Sequence, residues 1–142
     1  WKAFTRGQYL ALMDGYDGAA YGAGGAEFDY SQAATVDARR NIGYVRELAS
    51  RIDLLATRPD TLLCSTGYCL VQPQSPGTTF VVYAPEGGDF TVDLTGVSHS
   101  LQVEWFDLAT GFWQPAPPVE GGGVRDFSAP EAWAAVLFLH EP

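Results

Sequence analysis

Asp89-Phe90-Thr91-Val92-Asp93-Leu94, followed after a turn by Leu101-Gln102-Val103-Glu104-Trp105-Phe106, decides the fold. Apolar and polar side chains alternate with a period of two, the repeat of a strand with one buried face. Phe90, Val92 and Leu94 share one side, and so do Leu101, Val103 and Trp105. Working outward, Thr78–Ala84 repeats the pattern with Phe80, Val82 and Ala84. Trp133–Leu139 is almost continuously apolar, as expected of a strand buried on both faces. Pro85-Glu86-Gly87-Gly88, Asp107–Gly111 and Gly121–Gly123 supply turn chemistry between these runs. Short strands at this spacing predict one antiparallel sandwich from about Leu62 to Leu139, with Phe80, Val82, Val92, Leu101, Val103, Trp105 and Leu137 inside.

Upstream the period changes. Val36–Thr57 carries Ala38, Ile42, Val45, Ala49, Ile52 and Leu55 at helical spacing, with Thr35 as the expected N-cap and Arg58-Pro59 as the stop. Arg39, Arg40, Arg46 and Arg51 fall off this stripe and are expected in solvent. Lys2–Met13 also reads as helical, and Gly15–Tyr30 reads as a Gly-rich loop or a short buried strand between turns. The expected fold class is therefore α+β: a helical segment, residues 1–60, followed by an antiparallel β-sandwich, residues 61–142. A lone helix cannot bury its own stripe. It must pack on the sandwich, on a second copy through residues 1–60, or on another domain.

Of the formal charge of −9, residues 61–142 carry −8, with Arg125 their one basic group against nine acidic ones. That balance excludes nucleic acid and disfavours anionic membrane surfaces, since both require clustered Lys and Arg. The longest apolar runs are too short to span a bilayer as a helix. The first residue is Trp1, so a removed leader or a start inside a longer reading frame is expected. The acidity fits a secreted or periplasmic location. Cys64 and Cys69 bracket Ser-Thr-Gly-Tyr, a spacing that suits a hairpin and a disulfide. Two cysteines and two dispersed histidines, His99 and His140, do not make a zinc set, so neither metal nor cofactor is expected.

Four stretches in order carry a resemblance: Leu12–Gly22 (Leu-Met-Asp-Gly-Tyr-Asp-Gly-Ala-Ala-Tyr-Gly); the long helix running into Ala56-Thr57-Arg58-Pro59-Asp60; Val82–Gly88; and Trp105–Gly111 followed by Phe127–Trp133. Together they resemble the C-terminal end of apiosidase-like glycoside hydrolases, in which a TIM barrel precedes a β-sandwich labelled collagen-binding. The chain departs from that pattern at Leu108-Ala109, where the family has Pro-Arg, and at the small pair Ala19-Ala20. The resemblance implies that residues 1–60 are the last barrel elements, and that most of the barrel and its paired catalytic carboxylates precede Trp1.

On that placement Asp14, Asp17, Glu27 and Asp29 lie near the last βα loop, where barrel active sites open. Tyr21, Glu27, Phe28 and Tyr30 are then candidates to line a sugar subsite. The competing reading makes Asp14 and Asp17 turn-formers beside glycine and leaves Glu27 and Asp29 solvated. In the sandwich, Phe106, Phe112 and Trp113 at a turn are candidate sugar-stacking aromatics, whereas alternation points Trp105 and Trp133 inward. His99 and His140 read as exposed, and no Gly-x-Ser-x-Gly elbow is present. No catalytic residue is assigned. The expected function is a non-catalytic accessory region of a glycoside hydrolase acting on plant or microbial polysaccharide, its partner the catalytic barrel of the same protein. The alternatives are an independent module binding carbohydrate or matrix protein, and a small hydrolase.

Overall fold

The computed structural model describes residues 1–8, 33–73 and 77–142. The expected helix Lys2–Met13 is a single 3-10 turn, Phe4–Arg6, closed by Gly7 in the left-handed region; residues 9–13 lie outside the described part. The α-helix α1 spans Ala33–Ala49. Among the described residues eight strands follow: β1 (Arg58–Pro59), β2 (Cys69–Gln72), β3 (Thr79–Ala84), β4 (Asp89–Asp93), β5 (Ser100–Asp107), β6 (Trp113–Glu120), β7 (Val124–Ser128) and β8 (Ala135–His140). Six form one sheet in the order β1-β2-β3-β8-β5-β6, and β4 pairs with β7 in a second sheet. The pairings are antiparallel throughout.

The alternation read from the sequence is the register observed. Phe80, Val82, Val92, Leu101, Val103, Trp105 and Leu137 are all buried in one core between the two sheets, joined by Phe90, Leu94 and Phe127. The opposite face of the large sheet is buried too. Leu70, Val81, Phe106, Val136 and Phe138 point away from the small sheet and form a second core with Phe4, Val45 and Leu48. The domain thus has three layers: small sheet, large sheet, and a cover made of α1 and the N-terminal turn. Continuous burial of β8 along Ala135–Leu139 follows from its central place, with β3 on one side and β5 on the other.

The helix departs from expectation at both ends. It begins at Ala33, so Thr35 lies within it rather than capping it, and it stops at Ala49 instead of Thr57. Local side chains account for the early stop. The Ser50 hydroxyl donates to the Glu47 carbonyl at 2.6 Å, and Asp53 Oδ1 accepts the Leu55 N–H at 3.0 Å, so turns replace the helical ladder. The stripe rotates accordingly. Leu48 is completely buried, Val45 is buried and Ala49 and Ile52 pack at the margin, while Ala38 is exposed and Leu55 is 99% exposed. Tyr44 meets Phe106 edge-on at 4.9 Å, and Trp1 donates to Asn41 Oδ1 at 2.8 Å, tying the N-terminus to the helix.

Two other placements are corrected. Trp133 does not start the last strand; it stands 52% exposed in the loop before Ala135, so alternation never applied to it. Cys64 and Cys69 do not lie on neighbouring hairpin strands. Cys64 bridges to Val92 on the small-sheet side, whereas Cys69 opens β2 in the large sheet.

Candidate functional site

Where α1 ends, the outer face of the large sheet runs out of cover and turns from apolar to polar. Phe106 on β5 and Val136 on β8 lie under the helix; farther along the same face come Glu104, His140, Thr79 and Gln72. There a cleft of about 270 Å³ opens, lined by Arg51, Asp53, Gln72, Phe138, His140 and Glu141 among others.

Arg51 organises its wall. Leaving the helix just after Ser50, it lays its guanidinium 4.5 Å from the Trp113 ring centre and 4.7 Å from that of Phe138, and pairs with Glu104 Oε2. Cation–π contact of this kind strengthens as the pair is desolvated. The same Glu104 oxygen lies 3.2 Å from His140 Nε2. His140 Nδ1 lies 2.7 Å from the Glu141 carbonyl, which can only accept, so this nitrogen carries a proton. The imidazole stacks on Phe138 at 4.8 Å. Gln72, buried, donates to the Gly77 carbonyl at 2.8 Å and accepts the Asp53 N–H at 3.3 Å. Glu141 accepts the Thr78 N–H at 2.9 Å and lies 3.0 Å from His99 Nε2. These contacts, the Thr78 N–H first and the His99 charge after it, hold its carboxyl below the ordinary range.

Chemically this is a closed polar network. Glu104 and Glu141 are each already engaged, Glu104 by Arg51 and His140, Glu141 by Thr78 and His99. A glycosidase instead needs two carboxyl groups poised across a scissile bond. Among the described residues, no group of three or more His, Cys, Asp or Glu could hold a metal ion.

Tyr21, Glu27, Phe28 and Tyr30, with Asp14, Asp17 and Asp29, lie outside the described residues. Phe106 is not a surface aromatic; it is buried between Tyr44, Trp1 and Trp113 because the helix covers that face of β5. Trp113 is half-buried, carries Arg51 over its ring and donates to Glu47 Oε1 at 3.3 Å. Phe112 is 70% exposed and keeps its candidacy. Arg51 is exposed, as expected, and His140 is half-buried; both are nonetheless network members. Nothing local in the sequence marks them, because their partners come from β5, β6 and β8.

Two solved structures share the fold. One, a glycoside hydrolase, superposes with a TM-score of 0.55 at 16% identity over 69% of this chain and 24% of its own. The other, a glycoside hydrolase family 5 protein from Bacteroides vulgatus, gives a TM-score of 0.61 at 16% identity over 86% of this chain and 29% of its own. The second match extends beyond residues 61–142, which alone cannot supply that share. The chain spans less than a third of either protein. No curated protein sequence matches it. Residues 66–137, running from the Cys64–Cys69 turn into β8, match the family model described as "Putative collagen-binding domain of a collagenase", and the chain belongs to that family.

Proposed function

We propose that this chain is a non-catalytic, C-terminal accessory region of a glycoside hydrolase of the apiosidase-like kind, acting on plant or microbial polysaccharide outside the cytoplasm. One observation carries the reading: a helix and sandwich packed together in this chain recur as less than a third of a longer glycoside hydrolase. Residues 1–60 then belong to the end of the barrel and residues 61–142 to the sandwich. Leu54 and Leu55, exposed beside a groove walled by Phe4, Val45, Ala49 and Pro59, mark the side on which the rest of the barrel packs. A homodimer through residues 1–60 is the competing occupant of that side. The test is turnover of aryl glycosides and polysaccharides by the purified 142-residue chain. None is expected, and hydrolysis abolished by Glu27→Gln or Asp17→Asn overturns the proposal.

A second reading, an independent carbohydrate- or matrix-protein-binding module, is favoured by Phe112 and Trp133. Both are exposed, and both lie at the end of the large sheet where β6 and β8 begin. Against it, the Trp113 ring is already taken by Arg51. Retention on immobilised polysaccharide or collagen that is lost with Phe112→Ala supports this second reading.

A further inference from the structure

The small sheet has one covered edge and one open edge. Beside β4 run residues 63–65: Asp93 N donates to the Leu63 carbonyl at 2.8 Å, and Ser65 N to the Thr91 carbonyl at 3.0 Å. Beside β7, among the described residues, β4 is the one paired strand. Ala129 N donates to the Gly88 carbonyl and Leu94 N to the Gly123 carbonyl, each at 3.0 Å. By alternation, Arg125 and Phe127 turn their backbone groups toward β4, and Val124, Asp126 and Ser128 turn theirs outward. None of these outward N–H and C=O groups has a backbone partner among the described residues.

The edges of the large sheet are blunted by other means. β1 has two residues, and β6 carries three prolines, Pro115, Pro117 and Pro118. β7 holds no proline, and its register with β4 runs unbroken from Val124 to Ser128. Charge is what sets this edge apart. The outer face of the small sheet presents Asp89 and Asp93 on β4 and Asp126 on β7, beside exposed Val124, and no basic side chain. Asp126 stands opposite Thr91, diagonal to both other carboxylates. Arg125 lies on the other face, its guanidinium spent on the Glu120 and Gly121 carbonyls at 2.7 Å. A second copy with the same charge of −9 would meet repulsion along this edge, whereas a cationic strand would meet attraction. The small sheet lies across the large one from α1, so this edge is separate from the groove beside Leu54 and Leu55.

We propose that β7 is a docking edge for an extended basic segment of another polypeptide, which adds to the small sheet as a further strand. Its backbone pairs with Val124, Asp126 and Ser128. Its alternate Lys or Arg side chains lie on the outer face next to Asp126, in the field of Asp89 and Asp93. The side chains between them turn toward Phe127 at the rim of the core.

The test titrates the isotope-labelled 142-residue chain, at low salt, with a short capped peptide in which lysine and threonine alternate. The backbone amides of Val124, Asp126 and Ser128 should shift and gain protection from hydrogen exchange, while that of Phe127, already turned to β4, keeps the protection it had. Methylating the peptide nitrogens on the edge that pairs with β7 should abolish binding, and methylating the alternate ones should not. Glutamate in place of lysine should also abolish it. Asp126→Asn should weaken binding about fivefold at low salt and less at high salt. Val124→Pro keeps every carboxylate and takes no bond from β4, and it should weaken binding too. Binding indifferent to which nitrogens are methylated, with no added protection at positions 124, 126 and 128, overturns the proposal as mere charge attraction. Equal binding of the glutamate peptide, or pairing of β7 with a second copy, overturns it as well. The wild-type titration needs no variant to fold.

Discussion

Gly111 shows how one residue ties two elements together. It ends the turn after β5 with φ +76°, and an added Cβ would sit 2.5 Å from the Tyr44 hydroxyl and 2.7 Å from its ring. An alanine there meets both a strained backbone and the helix side chain that packs on Phe106. Gly111→Ala should cost about 1–3 kcal/mol in urea unfolding, and Tyr44→Ala should relieve part of that cost in a double-mutant cycle. The same turn holds a second test. Asp107 accepts the Thr110 hydroxyl at 2.6 Å and the Ala109 N–H at 2.8 Å. The hydroxyl first, and these amides after it, hold its carboxyl below the ordinary range. A depressed carboxyl contributes stability that is present above the ordinary carboxylate range and is lost as pH falls through its folded value. Thr110→Val should therefore narrow the difference in Tm between pH 7 and pH 3, and an unchanged difference would discount this hydrogen bond. The turn itself was legible from Asp107 and Gly111. The approach of Tyr44 was not, because nothing local in the sequence encodes a contact 67 positions away.

At the scale of elements, alternation proved a sound guide to the intersheet face of β3, β4 and β5, and missed the second buried face that carries Val81 and Phe106. It was silent on β6, whose segment contains Pro115, Pro117 and Pro118. Proline cannot donate to a ladder, yet β6 lies at the sheet edge, where missing N–H groups cost little and block further pairing. The helix was legible in kind but not in phase. The stripe counted from the sequence included Leu55 and omitted Leu48, because the register was carried past Ala49, where Ser50 and Asp53 end the helix. Reversing those two residues' roles gives a direct comparison. Leu48→Ala should destabilise by about 2–5 kcal/mol, the range for a fully buried leucine, whereas Leu55→Ser should stay within about 0.5 kcal/mol of wild type. Equal losses in thermal unfolding would mean that Leu55, not Leu48, packs on the sheet.

For the whole molecule, the α+β class and a sandwich with a helical segment were readable. The polar cleft was not, since Arg51, Glu104 and His140 come from the end of α1 and from two strands that only the completed sheet brings together. Of the three occupants open to the helix stripe, the chain's own sheet takes Val45 and Leu48. Among the described residues the exposed leucines are Leu54, Leu55 and Leu62, which fall far short of the roughly 800 Å² per partner of a stable interface. Sedimentation at micromolar concentration should therefore show a monomer, unchanged by Leu55→Glu. A dimer dispersed by that substitution would restore the case for self-association.

The strand that joins the halves of the large sheet is the last of the eight in sequence. Before Ala135–His140 is in place, β1, β2 and β3 form one ribbon and β5 and β6 another, with no ladder between them. On a translating ribosome the sheet must therefore wait for residue 140 to clear the exit tunnel. Apolar surfaces around Phe80 and Trp105 stay open until then. Ending translation at residue 134 should leave a species that chaperones retain and proteases remove.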